Sequence, residues 1–173
     1  MMLVFAHLGL TLAAANLSRR FGLRPDLSFV AIGSLLPDII DKPLGYFIYG
    51  AMGTGRIYAH TLLFLLVLAA LATILRSRAL GSLSFGVLVH LVLDSIWATP
   101  TILLWPLLGG FPINPDLTVL GYLEMLMQGL EYPDVLMPEI LGFLYLVHLS
   151  FQKWPTTFDA AKKIARRPSN GRS

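Results

Sequence analysis

Two carboxylates, Asp38 and Asp41, stand at the end of an apolar run, Gly-Ser-Leu-Leu-Pro-Asp-Ile-Ile-Asp, that begins at Gly33. Acidic residues are rare within apolar helices, because a buried charge costs free energy unless a partner, a metal or water compensates it. A chain that carries carboxylates there needs companion groups from other segments. This stretch is therefore interpreted as one part of a functional site whose other members lie elsewhere in the sequence.

The chain as a whole is apolar: 55% of its 173 residues are hydrophobic and 13% are charged. A soluble domain typically carries about 25% charged residues, so this composition indicates a membrane protein. Cysteine is absent, which excludes disulfides and thiolate ligands and leaves His, Asp and Glu to hold any metal. The net charge of +3 comes from basic clusters beside apolar runs. That pattern is typical of membrane topology signals, and no nucleic-acid partner is expected.

The sequence predicts an all-α fold, a polytopic membrane helical bundle with about five spanning helices plus a re-entrant or interfacial segment. Residues 1–155 are expected to form the membrane-embedded domain, and residues 156–173 a basic cytoplasmic tail. A loop is expected at residues 42–56. The predicted helices cover residues 2–18, about 28–41, 57–75, 79–98, a short segment near 117–130, and 138–152.

Three basic clusters suggest how such a bundle would be oriented. They are the segment from Arg19 to Arg24, the segment from Arg76 to Arg78, and the C-terminal tail. Placing all three in the cytoplasm gives a multi-pass protein with its N-terminus outside and its C-terminus inside. The same clusters are expected to contact anionic lipid headgroups.

Four predicted helices carry titratable residues at a similar depth. With a rise of 1.5 Å per residue, these groups lie roughly 18 to 25 Å from the cytoplasmic ends of their helices. Spacings of three and four residues place Asp38 with Asp41, and His90 with Asp94, on single helix faces. His148 falls near the opposite membrane face and is left out. The predicted metal ligands are His7, Asp38, Asp41, His60, His90 and Asp94.

Six such groups exceed what one tetrahedral zinc ion needs, so the sequence predicts two divalent ions, with zinc favoured and manganese as the alternative. Asp38 and Asp41 are the candidate catalytic carboxylates. Arg56 either binds an anionic substrate or anchors the end of its helix. Glu139 is either a further ligand or base, or a first-turn acid favoured by the helix dipole. A single His in an apolar helix is more often a hydrogen-bonded core residue, so the prediction depends on the whole set.

Three segments of the sequence resemble those of the YdjM-like family. They are Leu-Pro-Asp-Ile-Ile-Asp ending at Asp41, Arg-Ile-Tyr-Ala-His-Thr around His60, and Gly-Val-Leu-Val-His-Leu-Val-Leu-Asp ending at Asp94. An early His, here His7, belongs to the same pattern. Members of the YdjM-like family are small prokaryotic membrane proteins described as LexA-binding, inner-membrane-associated, metal-dependent hydrolases.

The resemblance implies a helical hydrolase distantly similar to zinc-dependent phospholipase C and zinc single-strand nucleases, in the cell membrane of a prokaryote. By that similarity His60, His90, Asp94 and an acid of the Pro-Asp pair would hold one ion, and His7 would help to hold another. The family often has Thr-His-Ser where this chain has Ala59-His60-Thr61, which removes one hydroxyl beside the ligand.

The leading functional hypothesis is a membrane-embedded hydrolase that uses a metal-activated water to cleave a phosphoester in a lipid or lipid-linked substrate. One alternative is a metal-ion or proton transporter, which also needs intramembrane acids and histidines. Another is a non-catalytic membrane-bound scaffold or regulator that is stabilised by bound metal.

Overall fold

A computed structural model of the chain describes residues 3–49, 55–112 and 118–165. Within these ranges the regular structure is helical, as the sequence predicts. Two short 3₁₀ turns, Arg19–Phe21 and Ile96–Ala98, accompany the α-helices. The α-helices are α1 (Val4–Ser18), α2 (Leu27–Tyr49), α3 (Leu62–Ile74), α4 (Arg78–Leu93), α5 (Pro100–Leu103), α6 (Val119–Gly129) and α7 (Pro133–Ala165).

Hydroxyl side chains fix the starts of three helices. Thr61 accepts a hydrogen bond from the amide of Phe64 at the start of α3, and Ser77 accepts one from Leu80 at the start of α4. Thr118 does the same for α6 through the amide of Gly121. Each hydroxyl satisfies one of the backbone donors that a helix leaves unpaired at its N-terminus.

Helix α2 is longer than predicted. It continues past Asp41 and through Pro43 to Tyr49, so the loop predicted at residues 42–56 is wrong for its first part; residues 50–54 lie outside the described ranges. Proline usually weakens a helix interior because it lacks an amide hydrogen and clashes with the preceding turn. Here α2 accommodates both Pro37 and Pro43, which keeps residues 38 to 42 on helical spacing.

The other boundaries also differ from the predicted ones. Helix α3 begins at Leu62 instead of Ile57, because backbone amides between Ile57 and His60 bond to a side chain of α2. Helix α7 begins at Pro133, before the predicted start, and its backbone stays helical to Ala165, well into the segment predicted to be a tail. The short helix predicted near residues 117–130 is present as α6.

Glycines allow two pairs of helices to cross at very short distance. A methyl group on Gly86 of α4 would overlap the backbone of α2 at Val30 and Gly33, and one on Gly9 of α1 would overlap the carbonyl of Gly142 in α7. These crossings fix α2 against α4 and α1 against α7. Between them lie two small cores, one around Val87 and Leu91 and the other around Leu12, Ala15 and Val30.

The prediction of about five spanning helices is wrong. Among the described residues, one helical segment, Pro133–Gln152 of α7, is long and apolar enough to cross a membrane. Helices α1, α3 and α4 have 15, 13 and 16 residues and reach only about 20 to 24 Å, against a hydrocarbon core of about 30 Å. Helix α2 has 23 residues but carries charges in its second half. The multi-pass topology and the predicted orientation of the termini are therefore not supported.

Candidate metal centre

Five of the six predicted ligands meet between α1, α2, α4 and the turn before α3. Two overlapping sets have ligand atoms within 4.8 Å of one another: His7, Asp38 and His90, and His60, His90 and Asp94. The three histidines are at most 1% exposed and Asp94 is 6% exposed. A buried cluster of imidazoles and carboxylates is the donor set expected for a divalent metal ion.

Asp41 orients His60. The Asp41 carboxylate is fully buried, and it accepts hydrogen bonds from the amides of Ile57, Ala59 and His60 at 2.8 to 3.1 Å. Its Oδ2 also lies 2.7 Å from Nδ1 of His60. An ionised carboxylate can only accept, so this contact assigns the proton to Nδ1 and leaves the lone pair of Nε2 directed into the cluster. Carboxylate–histidine pairs of this kind are typical of metal sites.

His90 is oriented in the same way by a backbone carbonyl. Its Nδ1 lies 2.7 Å from the carbonyl oxygen of Ser34 in α2, an acceptor that assigns the proton to Nδ1 and leaves Nε2 unprotonated. Burial, with the neighbouring His7 and His60, lowers the pKa of His90 to about 4. The imidazole is therefore uncharged at neutral pH, which is the form that binds metals.

The two Nε2 atoms of His60 and His90 lie 3.2 Å apart. Because an acceptor holds each Nδ1, both rings direct their Nε2 atoms toward the same point. Two nitrogens bound to one tetrahedral zinc at 2.0 to 2.1 Å would be about 3.3 Å apart. The observed spacing therefore fits a cation shared by the two rings.

Asp94 joins the same cluster from the C-terminal end of α4. Its Oδ2 lies 3.9 Å from Nε2 of His60 and forms an ion pair of 2.7 Å with Nη2 of Arg56. Although burial opposes ionisation, contact with His7 and the charge of Arg56 hold the pKa of Asp94 well below its usual range. The carboxylate is thus anionic and available as a ligand at neutral pH.

His7 is buried and stacks on His90, with ring centroids 4.1 Å apart and planes at 20°. Its Nε2 lies 3.4 Å from Oδ1 of Asp94, whereas its Nδ1 has no hydrogen-bond partner among the described residues. Buried polar atoms without a partner are costly and rare in native proteins. A metal ligated by His7 would remove that cost, so the donor set fits a metal on both chemistry and hydrogen bonding.

Asp38 lies on the more open side of the cluster. Its side chain is 16% exposed and pairs with Lys42 at 2.8 Å, while its Oδ1 lies 3.6 Å from Nε2 of His60. The Nζ of Lys42 also lies 5.7 Å from the ring centroid of Tyr122 in α6. The side chains of Lys42 and Arg56 are 27% and 25% exposed. The opening of the site is therefore flanked by two cations.

Two predicted site residues lie apart from the cluster. Asp41 belongs to neither ligand set, because its oxygens accept from backbone amides and contact His60; its role as a direct ligand stays a prediction. Glu139 accepts hydrogen bonds from the amides of Leu3, Phe5 and Ala6. Glu139, which lies on α7, therefore caps the N-terminus of α1 and does not reach the candidate metal centre.

Three groups that contribute to the site are not identified by the sequence analysis. Lys42 is four residues after Asp38, a spacing that places both on one helix face. The sequence analysis predicts a loop from residue 42 onward and therefore does not identify this pair. The carbonyl of Ser34 and the ring of Tyr122 had no comparable signal, because both depend on which helices pack together. His148, which was left out of the site, is exposed and contacts Gln152 on α7.

Comparison with known protein families identifies a relationship for most of the chain. The family model described as YdjM inner membrane protein matches residues 1–154. No curated protein and no solved structure matches the chain.

Proposed function

The chain belongs to the YdjM inner membrane protein family, and from that premise we propose that it is a metal-dependent hydrolase of phosphoesters in lipid or lipid-linked substrates. The family description supports a location at the membrane. The reaction and the substrate are inferred from the chemistry of the site.

The observation that carries the proposal is the combination of a buried His and Asp cluster with two cations at its opening. A metal centre alone would suit transport or a structural role equally well. Lys42 and Arg56 beside the carboxylates of Asp38 and Asp94 add positive charge where an anionic substrate would enter. Lys and Arg are the side chains that bind phosphate groups, Arg through its planar donors and Lys as a point charge.

The proposed metal is zinc, held by Nε2 of His60, Nε2 of His90 and the carboxylate of Asp94. A divalent ion in such a site supplies Lewis acidity, which activates water and polarises a phosphoryl oxygen. His90 belongs to both ligand sets, but its Nδ1 is engaged by the carbonyl of Ser34. Only Nε2 is free, so His90 can bind one ion and not two. His7 and Asp38 are the remaining donors that would hold the second ion predicted from the sequence.

The protein's own residues have distinct roles in this proposal. Lys42 and Arg56 bind the non-bridging oxygens of the phosphate and orient it. Asp38, the more exposed carboxylate of the cluster, would accept the proton of the attacking water and return it to the oxygen of the leaving alcohol. Asp41 is fully buried and cannot touch a substrate, so it acts by holding the His60 ring.

The test is hydrolysis by the full chain in lipid nanodiscs after loading with zinc. We expect phosphate release from phosphoester lipids by the wild type, and loss of both bound metal and activity in His90→Ala and Asp94→Ala. His148→Ala is the matched control, because this His lies outside the cluster and should change neither.

Full activity of metal-free wild type would contradict the proposal. Zinc-loaded protein that hydrolyses no phosphoester, yet moves zinc into proteoliposomes, would favour the transporter alternative instead. Metal retained by both variants at wild-type stoichiometry would contradict the assignment of the ligands.

A further inference from the structure

We propose that a cavity bounded by α6, the start of α7 and the residue before α1 holds the hydrocarbon chain of an amphiphilic phosphoester. This inference rests on the proposed function for the headgroup, which would occupy the metal centre. It adds a separate binding site for the apolar part of the substrate and so defines the substrate as a phosphoester with a single long alkyl or isoprenoid-like chain.

The cavity has a volume of about 300 Å³, at the lower end of the range for ligand-binding sites. Most of its wall is apolar, with Leu3 from the segment before α1, Met125 and Leu126 from α6, and Val135 from α7. Gln128 and Tyr132 contribute the polar side-chain groups among the lining residues. An apolar wall of this kind favours a hydrocarbon group over a second polar headgroup.

The cavity and the metal centre share one face of α6. Tyr122 lies against Lys42 at the opening of the centre. Met125, Leu126 and Gly129 follow it by three, four and seven residues, the spacing of neighbours along one side of a helix. At 1.5 Å per residue the cavity wall begins about 5 to 6 Å from Tyr122 and extends to about 10 Å.

Helix α1 independently places the cavity close to the metal centre. Leu3 precedes His7 by four residues, so the cavity lies about one helical turn from a predicted ligand of the metal. Glu139 of α7 accepts a hydrogen bond from the amide of Leu3 at 2.7 Å, and Val135 lies one turn before Glu139 on the same helix. Three elements therefore place this apolar space next to the metal centre.

Charge supports the choice of occupant. The cation Lys42 lies beside Tyr122 of α6 and pairs with Asp38, and a second cation, Arg56, pairs with Asp94. An anionic head beside an apolar tail matches this arrangement of cations and apolar wall. A neutral lipid would leave the cations without a partner in the substrate, and an inorganic phosphate would leave the cavity unfilled.

Gly129 allows a direct test. A Cβ atom at this position would meet nothing within 4 Å, so a side chain can start there, and Gly129→Leu adds apolar volume to a residue of the cavity wall. The probes are octylphosphonate and methylphosphonate, which carry the same headgroup and resist hydrolysis. Their binding is measured by calorimetry on zinc-loaded full-length protein in nanodiscs, with subtraction of partition into empty nanodiscs.

We expect the wild type to bind octylphosphonate at least about 100-fold more tightly than methylphosphonate, since each buried methylene contributes about 0.8 kcal/mol. Gly129→Leu should weaken octylphosphonate binding about tenfold and leave methylphosphonate unchanged. Val135→Phe narrows the same cavity from α7, so it should also weaken octylphosphonate binding and leave methylphosphonate binding unchanged. Gly81→Leu is the matched control, because its added Cβ also meets nothing within 4 Å and it lies beside a different cavity.

Equal affinity of the wild type for the two phosphonates would overturn the inference. So would unchanged octylphosphonate binding in folded, metal-containing Gly129→Leu and Val135→Phe. If the wild type hydrolyses no phosphoester but still prefers octylphosphonate in a way that Gly129→Leu removes, the proposed reaction fails while the chain-binding cavity stands.

Discussion

Asp41 contacts a residue of the proposed metal centre but belongs to neither candidate ligand set. Three backbone amides and Nδ1 of His60 surround its carboxylate. These contacts fold the turn before α3 and fix the ring of His60 in one tautomer. The charge of Asp41 is thus used to orient a ligand, which explains why a fully buried carboxylate is tolerated at the end of an apolar run.

Replacing Asp41 by Asn should therefore weaken metal binding without removing a ligand. The amide keeps the shape of the side chain, but its NH₂ group cannot accept from the backbone amides or from His60. We expect zinc affinity to fall about 10- to 100-fold, measured by competition with a chelator of known affinity. Asp134→Asn, at an exposed acid on α7, is the control, and equal loss in both variants would contradict this role.

Lys42 should affect substrate binding more than metal binding. Lys42→Met removes the cation beside Asp38 and keeps most of the side-chain volume. Because hydrogen bonds to charged groups contribute about 1.5 to 3 kcal/mol, we expect KM for a phosphoester to rise about 10- to 100-fold. Lys42→Arg should restore most of the affinity. Unchanged KM in Lys42→Met, together with wild-type metal content, would exclude Lys42 from substrate binding.

Among the helices, the glycine crossings set the distances on which the site depends. Gly86 lets α4 approach α2 closely enough for His90 to reach the carbonyl of Ser34. Gly86→Ala should shift the two backbones and cost about 1 to 3 kcal/mol, which lowers Tm by about 2 to 4 °C for each kcal/mol. Gly81→Ala on the same helix has open space around its Cβ and should instead stabilise α4 by about 0.5 to 1 kcal/mol.

Glu139 couples α7 to α1. Because its carboxylate accepts from three amides at the N-terminus of α1, Glu139→Gln should loosen that end of the helix at a cost of about 1 to 3 kcal/mol. Faster amide hydrogen exchange at residues 3–6 would report this, with exposed Glu131→Gln as the control. Loss of bound metal in Glu139→Gln while exchange stays slow would instead indicate the ligand role considered from the sequence.

For the whole molecule, the sequence is a better guide to the members of the site than to their roles or to the topology. The sequence could group five members of the site, because each lies a similar number of residues from a basic cluster in the chain. These members are His7, Asp38, His60, His90 and Asp94. The role of Asp41 could not be predicted, since it depends on backbone amides from a turn 16 or more residues away. The predicted number of membrane spans is too high, because an apolar composition does not determine how long each helix is, and several apolar helices are too short to cross a membrane.

Metal binding should stabilise the whole fold, because the ligands come from separate elements and the unfolded chain cannot hold them in this arrangement. A ligand that binds only the folded state at 100 times its Kd adds about 2.7 kcal/mol, equivalent to about 5 to 10 °C in Tm for a chain of this size. Removal of zinc with a chelator should therefore lower Tm by that amount, and added zinc should restore it. His90→Ala should unfold at one temperature with or without zinc, whereas His148→Ala should keep the full response. A zinc-independent Tm in the wild type would mean that these residues form a polar core without a metal, and the lone pairs of His60 and His90 would then require a proton between them.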